Sequence, residues 1–415
     1  FVLKNNQKYS KIIVYILFNL IGGGKMRPYG LILAGGGAKG AYQIGAWKAL
    51  IELGIQIEAI AGTSIGAING AFIAQGDFDK ALEVWEEAEV VNGIKIDSEL
   101  KSTENLFSFS NFPQLFHEIV KNGGVDVSPA RQMIADSIDE DTVRRNNIPL
   151  GIVSFQLGGM KPVEVFIDEM PEGSLVDYLM ASARFPGLNR QGPDDSNYLD
   201  GGIYDNAPVG MLRKRGLNRL IIVDISNIKG MGHKEDLSCA DLIYIRPFEP
   251  KDLGASFEFD KEMNEKRMRM GYYDTLKAFG KIAGRDYYFS HKEYKTMLSL
   301  YGFDACEQLE GLARELEIPR LRMYTHKQFM RALTSAEKKS KKEKEREKEK
   351  AKAKEQEPEN AQAEENEREI GEVIANFVPS IIQEKARRFK DKIKEYEKSH
   401  SSYKSAYEAL DKFNS

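Results

Sequence analysis

Cysteine and histidine are both scarce in this sequence. Its 415 residues include two cysteines, Cys239 and Cys306, and five histidines. Two cysteines so far apart argue against a disulfide framework and against a four-ligand zinc site, and the histidines show no metal-ligand spacing. We therefore expect a reducing compartment, no metal and no cofactor.

Long hydrophobic runs and a strong charge of one sign are also missing. The most apolar stretch, Ile12 to Ile21, is interrupted by Asn19 and is shorter than the about 20 residues of a membrane-spanning helix. The formal net charge is only −4, which gives no overall attraction to nucleic acid, and we expect no such partner. A cytoplasmic location is expected, with export and peripheral membrane contact left open.

What is present divides the chain into five segments. We expect residues 1–25 to be a non-native or disordered leader, because Ile21 to Lys25 back-translates to a purine-rich stretch directly before Met26. Residues 26–290 alternate short β-branched runs with helical patterns, which predicts an α/β domain with a mainly parallel sheet. The predicted strands are 29–34, 59–61, 150–155, 163–166, 220–225 and 242–245.

The C-terminal third has a different composition. Residues 291–336 read as a helical extension, and 337–369 consist mostly of lysine, glutamate, arginine, glutamine and alanine, which predicts a solvated helix or a disordered linker. In 370–415 apolar residues recur at steps of three and four between Ile370 and Ile382, as in an amphipathic helix. We expect that helix to pack on protein, with contact to a membrane as the alternative.

The first chemical motif is a glycine-rich loop. A predicted strand runs into Gly35-Gly36-Gly37-Ala38-Lys39-Gly40, and a helical pattern follows. Adjacent glycines allow several backbone N–H groups to surround one anionic atom, either a phosphate or a transition-state oxyanion. The loop also fits the dinucleotide pattern G-x-G-x-x-G, with Glu52 or Glu58 as the ribose-binding acid. A nucleotide-binding protein therefore remains an alternative at this point.

The second and third motifs favour ester chemistry. Gly62-Thr63-Ser64-Ile65-Gly66 follows a short strand and precedes a helical pattern, which is the setting of a nucleophile elbow. Ser64 would then present its hydroxyl at the carboxyl ends of the strands. Asp200-Gly201-Gly202 comes later in the chain; alone it reads as an ordinary turn.

Together these segments resemble the patatin-like phospholipase family, from about Arg27 to Tyr273. The resemblance implies a three-layer α/β/α fold and hydrolysis of lipid carboxyl esters, with phospholipids or lysophospholipids as substrates. Ser64 would be the nucleophile and Asp200 its general base. The matching text comprises the glycine loop, the elbow, Ala181-Ser182-Ala183-Arg184-Phe185-Pro186-Gly187, and Asp200-Gly201-Gly202 with Asn206 and Pro208.

The resemblance also assigns the backbone amides. Those of Gly35, Gly36 and Gly37, joined by that of Ala38, would form the oxyanion hole. Many family members carry Asp where Ala34 stands and Arg where Lys39 stands. Neither difference removes a backbone donor, so the expected hole is unaffected.

Three alternatives stay open in the sequence. A Ser-Asp-His triad would need a histidine after the acid, and His233 is the nearby candidate. A pseudoenzyme or storage-type protein on the same fold is another, and nucleotide binding is the third. Aromatic residues between Leu106 and Phe116 predict either a cap over an acyl-chain groove or a core anchor. The oligomeric state is open.

Overall fold

The computed structural model of this chain describes residues 27–91, 128–156, 161–183, 198–200, 206–226, 240–256, 258–354 and 404–414. They belong to two compact units, the first ending at Lys281 and the second beginning at Ile282. The predictions for residues 1–25, 106–116 and 370–382 lie outside the described residues.

The first unit contains the predicted α/β domain. Its strands are β1 (Tyr29–Leu33), β2 (Ile57–Thr63), β3 (Leu150–Gln156), β4 (Lys161–Phe166), β5 (Tyr198–Asp200), β6 (Arg219–Val223) and β7 (Asp241–Ile245). Its helices are α1 (Ala41–Glu52), α2 (Ile65–Gln75), α3 (Phe78–Val91), α4 (Ser128–Ser137), α5 (Glu140–Arg145), α6 (Leu175–Ser182), α7 (Val209–Lys214) and α8 (Lys261–Ala278). All six predicted strands are confirmed, with ends that differ by at most two residues.

The strands form a mainly parallel sheet in the order β4-β3-β2-β1-β6-β7. Neighbours from β3 to β7 are parallel, whereas β4 and β5 both pair antiparallel with β3. The chain adds strands on one side of β1 and later returns to add β6 on the other side. A switch point of this kind opens a crevice beyond the carboxyl ends of the strands, where ligands bind in open α/β folds.

Helices cover both faces of this sheet. Gly70 of α2 lies against Leu33 and Leu150, whereas α7 places Leu212 over Gly30 and Met211 over Gly151. Because successive strand residues alternate between faces, Leu150 and Gly151 point in opposite directions. The two helices therefore lie on opposite faces, which confirms the expected α/β fold with helices around the sheet.

The second unit is helical, with one small parallel strand pair. It contains β8 (Tyr288–Phe289), α9 (His291–Tyr301), α10 (Phe303–Glu315), β9 (Met323–Tyr324), α11 (His326–Lys354) and α12 (Lys404–Asn414). Tyr287 and Phe289 belong to its core, together with side chains from all four helices. This unit therefore begins before residue 291, because the β8–β9 pair draws the aromatic residues at 287–289 into its interior.

Helix α11 includes the first half of the charged segment. From Lys341 to Glu347 its side chains are exposed, whereas Phe329, Met330 and Leu333 near its start are buried in the core of the second unit. Among the described residues, no helix combines the length and apolar character needed to cross a bilayer.

Candidate active site

Ser64 occupies a strained turn between β2 and α2. Its backbone angles are φ 56° and ψ −126°, a region that non-glycine residues rarely adopt. Such strain costs about 1–3 kcal/mol and persists only where the surrounding structure enforces it. The Ser64 side chain lies at the carboxyl end of β2 and at the N-terminus of α2, which is the geometry of a nucleophile elbow.

The two glycines of the elbow are required by close backbone contacts. A Cβ on Gly62 would lie 2.4 Å from the carbonyl oxygen of Gly66. A Cβ on Gly66 would lie 2.2 Å from the carbonyl oxygen of Leu33, at the end of β1. The G-x-S-x-G spacing therefore lets the turn close tightly and pack against the neighbouring strand.

Ser182 fixes the elbow from the side. The Ser64 amide donates to the Ser182 Oγ at 2.8 Å, and that hydroxyl donates to the carbonyl of Val153 on β3 at 2.5 Å. Ser182 is fully buried. Ser182 belongs to the matching segment 181–187, where its sequence context indicates no role for it; its hydrogen bonds identify it as a support of the strained turn.

Replacing Ser182 with alanine is expected to lower kcat for ester hydrolysis about 10- to 100-fold. It also leaves a buried amide and a buried carbonyl unsatisfied, which should lower the free energy of unfolding by about 1–3 kcal/mol. Steady-state kinetics and denaturant titration measure the two effects. Ser137→Ala removes another buried serine of the first unit and should leave kcat unchanged; equal losses in both variants would contradict the assigned role.

The glycine loop lies directly beside Ser64. A Cβ on Gly35 would come within 3.2 Å of the Ser64 Cβ. Gly37 has φ +60°, and a Cβ there would lie 2.2 Å from the carbonyl oxygen of Ser256. Gly36 and Gly37 are partly exposed, whereas the residues on either side of them are buried. The loop thus presents two accessible residues next to the serine.

The hydrogen bonds of the loop reduce the number of amides that are available for the predicted oxyanion hole. The Gly35 amide donates to the carbonyl of Asn206 at 3.1 Å, and the Ala38 amide donates to the carbonyl of Ser256 at 2.7 Å. Both amides are thus used in holding the loop, and their place in the oxyanion hole stays a prediction. Within the described part of the chain, the amides of Gly36 and Gly37 make no hydrogen bond and remain available.

A buried amide network joins the loop to the elbow helix. Asn69 of α2 donates to the carbonyl of Gly40 at 3.0 Å and to the Gln43 side chain at 2.8 Å. Gln43 donates to the carbonyl of Ala34 at 2.7 Å, and the indole of Trp85 donates to Asn69 at 3.0 Å. Sequence reasoning missed this network; a lone amide within each of two apolar helices was the available signal.

Asp200 reaches the elbow through the register of β3. β2 pairs with β3 as far as Thr63, opposite Val153, and Asp200 of β5 pairs with the next residue, Ser154. Because β4 occupies the other side of β3 at Ser154, β5 continues the side on which β2 ends. The main chain of Asp200 therefore lies beside the elbow. Gly201 and Gly202 fall outside the described residues.

Lys39 of the glycine loop is a buried cation. Its side chain is 5% exposed, and burial, with a smaller contribution from the nearby Arg267 charge, lowers the pKa of Lys39 to about 8. Among the described residues no acceptor bonds to its ammonium group. A buried charge without a partner destabilises the folded state while it stays protonated.

Replacing Lys39 with methionine is expected to raise the free energy of unfolding at pH 7 by about 2–3 kcal/mol. The unfolded chain holds this proton up to about pH 10.5, whereas the folded chain releases it near 8. The cost of burial is thus present in full below pH 8 and fades as the pH rises to 10.5. Urea titrations at pH 7 and pH 10 measure it. The exposed Lys266→Met is the control, and a gain that is equal at both pH values would contradict the explanation.

Two acids proposed for nucleotide binding lie in unsuitable places. Glu58 is the second residue of β2, so it lies at the amino ends of the strands, whereas the glycine loop lies at their carboxyl ends. Glu52 is the last residue of α1, and its carboxylate accepts a hydrogen bond from the Tyr272 hydroxyl at 2.7 Å. A ribose-binding acid must follow the carboxyl end of the second strand. Neither residue meets this condition, which removes the support for a dinucleotide site.

Another acid lies at the carboxyl ends of the strands, and its carboxylate is occupied by hydrogen bonds to neighbouring residues. Asp224 follows β6, and its carboxylate accepts the amide and hydroxyl of Ser226 and the hydroxyl of Tyr244. Burial and this carboxylate raise the pKa of Tyr244. Asp224 is therefore a structural acid, and it provides a matched control for Asp200. Histidine, cysteine and acidic side chains form no cluster of metal-binding geometry in the described ranges, and His233 lies outside them.

The chain is therefore an α/β protein whose candidate serine lies at a nucleophile elbow, with a glycine loop beside it. Comparison with known proteins agrees. The family model for patatin-like phospholipases matches residues 31–213. Residues 31–213 of the chain are therefore similar to a patatin-like phospholipase domain.

Individual relatives share the domain only. Lysophospholipase nte1 of Aspergillus terreus is 31% identical over 203 residues, which is 49% of this chain and 12% of that protein. Patatin-like phospholipase domain-containing protein 7 of Rattus norvegicus is 27% identical over 48% of this chain and 13% of its own length. Among solved structures, VipD from Legionella pneumophila covers 75% of this chain and 74% of its own at 14% identity, with a TM-score of 0.38. The chain thus spans about one eighth of the length of these two curated relatives.

Proposed function

We propose that this protein is a serine acyl hydrolase that cleaves carboxyl esters of lipids. Ser64 is its nucleophile and Asp200 its general base, and the amides of Gly36 and Gly37 form the oxyanion hole. The observation that carries the proposal is the enforced strain at Ser64 directly beside a loop with two unused backbone donors. Strain of this kind is kept where a turn must expose a reactive side chain.

The reaction has two steps. The Asp200 carboxylate accepts the Ser64 proton as Oγ attacks the ester carbonyl, and the negative charge that develops on the carbonyl oxygen is held by the two amides. The protonated Asp200 then transfers its proton to the departing alkoxide. In the second step Asp200 deprotonates a water molecule, which attacks the acyl-enzyme; Asp200 then returns this proton to the departing Ser64 Oγ, which releases the fatty acid and restores Ser64.

The proposed substrates are phospholipids and lysophospholipids. The support is the family of the domain and the names of its relatives, which are described as lysophospholipases and as a patatin-like phospholipase domain protein. A lipid surface is accordingly the expected partner.

Covalent labelling followed by a lipid panel tests the proposal. A fluorophosphonate probe reacts with an activated serine, so the wild-type chain should be labelled and the label should map to Ser64. The labelled enzyme should then lose its ability to release fatty acid from phosphatidylcholine and lysophosphatidylcholine vesicles. A folded wild-type chain that neither labels nor releases fatty acid would overturn the proposed function.

A further inference from the structure

Arg267 of α8 is a fully buried arginine whose guanidinium binds one short backbone segment. Nε donates to the carbonyl of Leu253 at 2.7 Å, Nη2 to that of Ala255 at 3.0 Å, and Nη1 to that of Glu258 at 2.6 Å. Nη2 also lies 3.2 Å from the Glu258 carboxylate. One side chain thus holds three carbonyl groups, two of them within the segment 253–256 and one at Glu258.

This segment holds the glycine loop. Ser256 is the last residue of 253–256, and its carbonyl accepts the Ala38 amide at 2.7 Å and lies against Gly37. Arg267 Nη1 also approaches the carbonyl of Ala38 at 3.4 Å. The guanidinium therefore contacts the loop directly and also supports the carbonyl that orients it.

The chemistry of arginine suits this position. Its planar head carries five N–H donors in a rigid fork, whereas a lysine ammonium is a single point from which three spread carbonyls cannot be reached at once. Burial lowers the pKa of Arg267 to about 10, so the group stays charged at neutral pH. Its ion-pair partner, Glu258, is 39% exposed on its side chain. A buried cation whose partners are mainly backbone carbonyls fixes the position of the backbone that carries those carbonyls.

We propose that Arg267 is a positioning residue for the oxyanion hole. It holds segment 253–256 and the carbonyl of Glu258, so that the Ser256 carbonyl engages the Ala38 amide and leaves the amides of Gly36 and Gly37 for the oxyanion. The inference rests on the proposed function. Arg267 lies beyond residue 213, where the match to the family model ends, so the proposed site includes a residue that this match does not cover.

The test compares Arg267→Gln with Arg269→Gln in hydrolysis of soluble p-nitrophenyl butyrate. Arg269 lies on the same helix with an exposed side chain and serves as the matched control. We expect Arg267→Gln to lower kcat about 100-fold with KM within about twofold, because misplaced donors weaken transition-state binding more than substrate binding. Arg267→Lys should recover less than about tenfold of that loss, and Arg269→Gln should match wild type.

A milder variant covers the case in which Arg267→Gln does not fold. Glu258→Gln keeps an acceptor for the Ala255 amide but removes the charge that pairs with Arg267. It should fold with a Tm lowered by only a few degrees, because the backbone carbonyls still hold Arg267, and lower kcat about three- to tenfold at constant KM. Wild-type kcat in folded Glu258→Gln or Arg267→Gln, with an active wild type, would overturn this inference alone. An inactive, unlabelled wild type would overturn the proposed function and the inference with it.

Discussion

Replacing Ser64 with alanine is expected to abolish ester hydrolysis, with a fall in kcat of about 10⁴- to 10⁶-fold. The substitution removes only the Oγ hydroxyl, whereas the hydrogen bonds that hold Ser64 in the turn are made by its backbone amide and carbonyl. The fold should therefore persist while the nucleophile is lost. Fatty-acid release from phospholipid vesicles and fluorophosphonate labelling both measure the change.

Glycine at the same position separates chemistry from strain. Ser64→Gly also lacks the nucleophile, but glycine adopts φ 56° and ψ −126° without steric cost. We expect it to be as inactive as Ser64→Ala and more stable than Ser64→Ala by about 1 kcal/mol or more. Residual activity above about 1% in either variant would rule out Ser64 as the nucleophile.

Replacing Asp200 with asparagine is expected to lower kcat about 10⁴-fold, since an amide of the same shape cannot accept the serine proton. The main-chain pairing of Asp200 with Ser154 does not involve the side chain and should be retained. Initial rates of ester hydrolysis and circular dichroism of the variant measure the loss of activity and the retained fold.

Two control variants assign the base. Asp224→Asn alters the other acid at the carboxyl edge of the sheet, whose hydrogen bonds to Ser226 and Tyr244 mark it as structural; kcat should stay within about threefold of wild type. His233→Ala tests the triad alternative and should be fully active. Loss of activity in His233→Ala as well as in Asp200→Asn would favour the triad instead.

The local features of the site could be predicted from sequence. Strand–turn–helix alternation around Gly35 and Ser64 is a short-range pattern of periodicity and glycine spacing, and the structure has β1, β2 and the helices that follow them where the pattern indicates. The close contacts at Gly62 and Gly66 explain why the motif needs glycine at these positions. Turns of this kind are determined by the residues within them.

The composition of the oxyanion hole could not be predicted in this way. Four consecutive residues, Gly35 to Ala38, look equivalent as donors in the sequence. Asn206 uses the first amide and Ser256 uses the last, from positions 171 and 218 residues away along the chain. Which donors remain available depends on those distant carbonyl groups, and no local pattern records them.

The sequence by itself therefore determined the α/β class, the elbow at Ser64 and the glycine loop, because these depend on residues within one or two turns of each other. Only the tertiary structure decided that the main chain of Asp200 lies beside the elbow, through the register of β3, that Ser182 bonds the elbow amide, and that Arg267 contacts the glycine loop. These arrangements are hydrogen bonds between segments far apart in the chain. They form when the sheet and its covering helices pack together.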